Sequence, residues 1–189
     1  QVKAELFKTL SGILEKETII ATNTSSFSVT ELSANVSFPE RFAGLHFFYH
    51  AAKNRLVEII PGEKTSEETK KLAYRFSILS GKDPIYSADA YGFIVNRFFV
   101  PWLNEAVKLL EEGIGTIEII DCVCMKTFGI GMGPFALMNA TGVAIALHAQ
   151  RSLEFFGSSY KVANLLVKQV EKKENWFFYF FAISSLIYM

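Results

Sequence analysis

Val2, Leu6, Phe7, Leu10, Ile13 and Leu14 recur at the spacing of a helix with one apolar face, so the chain is helical from its second residue. The texture then changes. TIIATN at 18–23 is a short β-branched run of the kind a buried parallel strand requires, and it ends in the polar cluster TNTSS. Polar residues at the carboxyl end of such a strand stand where open α/β sheets bind ligands. FAGLHFF at 42–48 and RLVEII at 55–60 are two more apolar runs, joined by a polar, lysine-containing connection and closed by Pro61 and Gly62. They predict neighbouring strands. A helix follows over 66–80, with Ser66 as its N-cap, Glu67 and Glu68 in the positive first turn and Gly81 past its end. IYS at 85–87 predicts one further strand.

From Gly92 onward the spacing is helical. FIVNRFFVPWLNEAVKLLEEG, TIEIIDCVCMKTFG and the proline-started GPFALMNATGVAIALHAQRSLEFFG predict three long helices with glycine between them. Pro101 lies inside the first, where it removes a hydrogen bond and favours a kink. The fold class expected is therefore α/β followed by all-α, with a boundary near residue 90: one part over 1–90, a helical part over 91–175 and an apolar tail over 176–189. The tail, WFFYFFAISSLIYM, has aromatic residues on every face and no charge. It is shorter than the roughly 18 apolar residues that suggest a membrane span. It reads as a buried terminal helix or as a stretch foreign to the parent protein, because Phe, Tyr, Ile, Leu, Ser and Met are what a shifted frame in an AT-rich gene produces. QVKAELFKTL has the character of neither a signal nor a transit peptide, and with no Met and a helix already running it reads as an end cut inside a domain.

The 19 basic and 19 acidic residues balance, so no excess field exists to attract nucleic acid or an anionic membrane. Cys122 and Cys124 sit one residue apart in a helical segment and point in different directions, which fits a reducing, cytoplasmic setting. No further Cys or His cluster completes a metal site around them, so no metal is expected.

Two ionisable residues stand out because each lies in the middle of an apolar strand. His46 in LHFF and Glu58 in LVEII would be costly to desolvate alone, and adjacent strands could supply each with the other as partner. A carboxylate on one imidazole nitrogen fixes the tautomer and leaves the other nitrogen as a general base. The same pair also describes a satisfied polar bridge in a core, which spacing alone favours. Ser25 and Ser26 offer hydroxyls at the expected ligand edge, or form a serine-rich turn. Asn96, in GFIVNR, could donate to a substrate carbonyl or make an ordinary helix contact.

Order and spacing narrow these alternatives. TNTSS, RFAGLHFF, LVEII, GEKTSEET, GFIVNR, VP-x-L-x-EAV-x-L and MGPF-x-L, in that sequence, resemble 3-hydroxyacyl-CoA dehydrogenases over residues 1–175. The resemblance implies the remainder of a Rossmann-like NAD-binding domain followed by a helical domain that mediates homodimerisation. It implies an acyl-CoA substrate, NAD as cofactor, His46 as general base, Glu58 as its orienting carboxylate, Ser25 as a contact to substrate and cofactor, and Asn96 as the residue holding the substrate oxygen. Lys3, in VKAELFK, matches the family's cofactor-contacting lysine. Three departures stand beside this. The glycine-rich phosphate loop and the acidic residue for the adenosine ribose do not occur; HFFYH replaces the family's HFFNP, putting Tyr49 and His50 where Asn and Pro are usual; and the closing KTG-x-GFY segment is missing after Asn175. The expectation is a fragment that, alone, binds NAD poorly and turns over negligibly. The alternative function is a non-catalytic dimerisation or assembly module derived from the same family.

Overall fold

A computed structural model of the chain describes residues 2–25, 27–174 and 177. It divides into two compact units between Arg97 and Phe98. The predicted tail lies outside the described residues except for Phe177, and so does Ser26.

The first unit begins with α1 (Val2–Ile13) and a four-stranded sheet in the order β1 (Ile20–Thr22), β2 (Phe42–Phe47), β3 (Leu56–Pro61), β4 (Asp83–Tyr86). β1 and β2 run parallel, as do β3 and β4, while β2 and β3 are antiparallel. Parallel neighbours need a crossover. α2 (Val29–Ser33) lies in the first crossover and α3 (Glu67–Leu79) forms the second. Ser66 caps α3 by accepting the Thr69 amide at 3.1 Å, and Gly81 follows it at φ 74°, as the sequence predicts. α2 was not expected, although Ser28 and Glu31 carry the S-x-x-E spacing of a helix start and the Ser28 hydroxyl accepts the Glu31 amide at 3.2 Å. β4 begins two residues earlier than the expected IYS strand, at Asp83.

Alternation along β2 and β3 sends side chains to opposite faces of the sheet. Phe42, Gly44 and His46 share one face with Glu58 and Ile60; Leu45 and Phe47 share the other with Ile59. On the first face Phe42 and Ile60 pack with Phe7, Val29, Leu32 and Phe93, with the Phe7 and Phe42 rings edge-on at 5.0 Å. On the other, Leu45 and Ile59 pack against Ala73 of α3. The buried residues of α3 are Thr69, Ala73 and Ser77, one turn apart and small, which lets the helix lie close to the strands. Gly44 serves the same end for α2, since a Cβ there would stand 2.9 Å from Val29 Cγ2 and 3.0 Å from Ile60 Cβ.

The second unit is helical, as expected. α4 (Val95–Glu111) starts just before the division and runs through Pro101 into this unit; α5 (Ile117–Phe128), α6 (Pro134–Thr141), α7 (Val143–Arg151) and α8 (Asn164–Glu171) follow. The third predicted helix is in fact α6 and α7, broken at Gly142, whose φ of 107° no helix can accommodate. Val107, Phe135, Met138, Leu147 and Leu166 form the core. Buried polar groups pin the loops around it. Asp121 accepts the Phe135 and Ala136 amides at 2.8 and 3.0 Å at the start of α6, and Asn139 exchanges two hydrogen bonds with the Phe177 backbone at 2.7 and 2.9 Å. Among the described residues no helix is long and apolar enough to cross a membrane.

Gly44→Ala should destabilise the first unit by about 1–3 kcal/mol through overpacking between α2 and the sheet. Urea unfolding followed by far-ultraviolet circular dichroism measures this, with Gly12→Ala, in open space, as the control.

Candidate active site

The antiparallel register of β2 and β3 sets His46 directly opposite Glu58 on the same sheet face. Such cross-strand pairs have Cβ atoms about 4.5–5.5 Å apart, close enough for an imidazole and a carboxylate to meet. His46 Nδ1 stands 2.7 Å from Glu58 Oε2, with the histidine 3% and the glutamate 0% exposed. A carboxylate this deep requires a donor at each oxygen. The second oxygen, Oε1, accepts the amides of Ile94 and Val95, both at 2.9 Å. These stand at the start of α4, where helix amides have no intrahelical partner and the macrodipole is positive.

Two backbone N–H groups donate to Oε1, and with Glu58 as the carboxylate Nδ1 is the donor to Oε2. Nε2 of the neutral ring is then an acceptor. Phe48 and Phe93 flank the imidazole at ring separations of 4.5 and 5.5 Å, which holds its plane. The arrangement is a buried histidine with an anchored carboxylate behind it, which is geometry able to support a general base.

The other expected residues are distributed unevenly. The Asn96 carboxamide donates from Nδ2 to the Ser25 carbonyl at 3.4 Å, so these two segments meet through the backbone of Ser25, whose own side chain is exposed. Both residues belong to the first unit. Asn23 Oδ1 accepts the Phe47 amide at 3.0 Å and ties the carboxyl ends of β1 and β2 together. Lys3 stands in the first turn of α1 and takes no part in these bonds. Tyr49 and His50 are exposed beyond β2. Their connection is held from behind by Lys82, whose ammonium donates to the carbonyls of Ala51 and, at 2.8 Å, Asn54.

Asp89 was not singled out from the sequence, yet it is the other anchored carboxylate. It accepts the Ser28 hydroxyl at 2.9 Å and the Val29 and Thr30 amides at 2.8 Å each. Partial burial pushes its carboxyl up, but hydrogen bonds from Thr30, Val29 and Ser28 outweigh that and hold it below the ordinary carboxylate range. Among the described residues no group of three His, Cys, Asp or Glu side chains could hold a metal ion.

A mixed α/β sheet carrying a buried histidine–glutamate pair is followed by a helical unit, a two-part α/β and all-α architecture. Residues 1–90 match the family profile described as 3-hydroxyacyl-CoA dehydrogenase, NAD binding domain, and residues 92–175 match that of the 3-hydroxyacyl-CoA dehydrogenase C-terminal domain. The 3-hydroxybutyryl-CoA dehydrogenase of Clostridioides difficile is 34% identical over 175 residues, which is 92% of this chain and 62% of the relative. The mitochondrial hydroxyacyl-coenzyme A dehydrogenase of Sus scrofa is 43% identical over 143 residues, 76% of this chain and 46% of the relative. The crystal structure of (S)-3-hydroxybutyryl-CoA dehydrogenase from Ralstonia eutropha superposes with a TM-score of 0.86 at 36% identity, covering 91% of this chain and 62% of that one. The chain belongs to the 3-hydroxyacyl-CoA dehydrogenase family, and it spans less than two thirds of the length of these relatives.

Two measurements test the site's electrostatics. Glu58→Leu, which strands two amide donors and an imidazole, should cost about 3–5 kcal/mol in chemical unfolding, and Glu58→Gln, which keeps one acceptor oxygen, should cost less. Asp89, with its folded pKa depressed, contributes stability that is fully present above its unfolded value of about 4 and is lost as the pH falls through the folded value. Acid titration of unfolding stability should therefore fall less steeply in Asp89→Asn than in the parent.

Proposed function

We propose that this chain serves NAD-dependent 3-hydroxyacyl-CoA dehydrogenation, the oxidation of a (3S)-hydroxyacyl-CoA to the 3-oxoacyl-CoA or its reverse, in fatty-acid or hydroxybutyryl-CoA metabolism. The observation that carries this reading is the 2.7 Å contact between His46 and Glu58, with the second Glu58 oxygen fixed on the first turn of α4. In the oxidative direction His46 Nε2 takes the proton of the substrate 3-hydroxyl. The imidazolium so formed already has an ionised carboxylate on Nδ1, so its charge is stabilised without reorganisation. Ser25 and Asn96 hold the reacting oxygen against the ring.

Residues that fit the cofactor stand at the carboxyl end of β1. Thr22 Oγ1 is buried without a hydrogen-bond partner, and the exposed Ser25 follows it, a polar edge suited to a carboxamide. Ser25, and Lys3 by its place in VKAELFK, would hold the dinucleotide. NAD, when bound, supplies the hydride acceptor. The acyl-CoA is the remaining partner, and the division of labour follows the family pattern: residues 1–90 serve the cofactor and residues 91–175 form a helical domain that pairs with a second copy. Exposed Ile119 and Val123, one turn apart on α5, support that pairing. The free thiols of Cys122 and Cys124 fit a cytoplasmic setting.

The test is acetoacetyl-CoA reduction with NADH by the chain joined to a family amino-terminal half that carries the glycine-rich loop, His46→Ala beside the parent. Loss of a positioned general acid–base should lower turnover by roughly 10²–10⁴-fold. Turnover unaffected by His46→Ala would overturn the reading. NADH titration that detects no binding, together with a stable dimer, would favour the non-catalytic assembly module.

A further inference from the structure

The mechanism above uses His46, Glu58, Ser25 and Asn96 but leaves Asp89 without a role. Its partners are unusual for a surface loop. Ser28, Val29 and Thr30 lie 59–61 residues away in sequence and form the start of α2, a helix of five residues. So short a helix is not stable by its own hydrogen bonds and depends on what fixes its ends. Ser28 already serves as its own N-cap toward Glu31, so Asp89 adds a second, external anchor: a carboxylate on free amides at the positive end of the helix.

The segment that supplies Asp89 is fastened again a few residues on. Ile94 and Val95 donate to Glu58, and Asn96 donates to the Ser25 carbonyl. The stretch from Asp89 to Asn96 is therefore a strap. One end grips the residues that follow Ser25, and the other grips the carboxylate behind His46.

We propose that Asp89 is a positioning residue that clamps Ser28, Val29 and Thr30 and thereby keeps Ser25 in register with His46. This rests on the dehydrogenase reading of His46 and Ser25. The side chain touches no reacting atom; it acts by fixing the loop that does. With its carboxylate exchanged for a carboxamide, an NH₂ group would face amide donors and the clamp would open on one side. Misplacement of a positioning loop by about 1 Å is enough to lower rate about a hundredfold.

The test compares Asp89→Asn, Asp89→Glu and His46→Ala with the parent, each joined to a family amino-terminal half that carries the glycine-rich loop, using acetoacetyl-CoA and NADH, a pH–rate profile, and amide hydrogen exchange read by mass spectrometry. Asp89→Asn should lower kcat/KM tenfold or more, mostly in kcat, while the pH limb belonging to the histidine stays in place because its contact with Glu58 is intact. Asp89→Glu, which keeps the charge, should recover part of the loss. Exchange should quicken at 24–31 and remain unchanged in α3. Rates within twofold of the parent in Asp89→Asn, or a loss accompanied by uniformly faster exchange over residues 2–97, would overturn the clamp while leaving the dehydrogenase reading intact. If His46→Ala turns over normally the dehydrogenase reading fails instead, and the exchange arm decides the clamp alone: unchanged exchange at 28–30 would sink it.

Discussion

A carboxylate with no exposure to solvent must be answered at both oxygens, and the arrangement of the first unit follows from how Glu58 meets that demand. One oxygen turns to the strand beside it and meets the imidazole of His46. The other reaches out of the sheet to the amides that begin α4. A single buried side chain thereby ties the register of two antiparallel strands to the starting point of a helix. A slip of one residue between β2 and β3 would place the two side chains on opposite faces and leave the charge unpaired. The demand that makes the pair useful for chemistry is thus also what specifies the fold around it.

The features readable from the sequence were those with a local physical signature. His46 and Glu58 were conspicuous because ionisable groups interrupt apolar strands, and Ser66 with Gly81 marked the ends of α3 by ordinary capping. The break at Gly142 was hidden because apolar residues keep helical spacing on both sides of it, and only the backbone angle of the glycine shows that the axis changes. Asp89 left no trace, since its partners are remote in sequence and contribute mainly backbone N–H groups, which any residue types could supply. The link of Asn96 to the Ser25 carbonyl is a matter of loop path that spacing does not encode.

The two units satisfy buried polar groups by one shared device. In the first, Asp89 and Glu58 each rest on the amides that open a helix; in the second, Asp121 does the same for α6. Gly133 makes this possible, since a Cβ at that position would fall 2.3 Å from the Asp121 carboxyl carbon. Helix starts joined to distant carboxylates convert a local end effect into long-range tertiary contacts, and they do so at little cost in apolar packing.

The hold of Lys82 on the connection between β2 and β3 has a different character. Its ammonium takes the carbonyls of Ala51 and Asn54, groups that every amino acid possesses. Recognition that reads only the main chain is indifferent to what side chains the connection carries. Tyr49 and His50, just ahead of these two carbonyls, take no part in that hold. The lysine holds the course of the loop through its backbone and leaves the chemistry of the loop to its side chains.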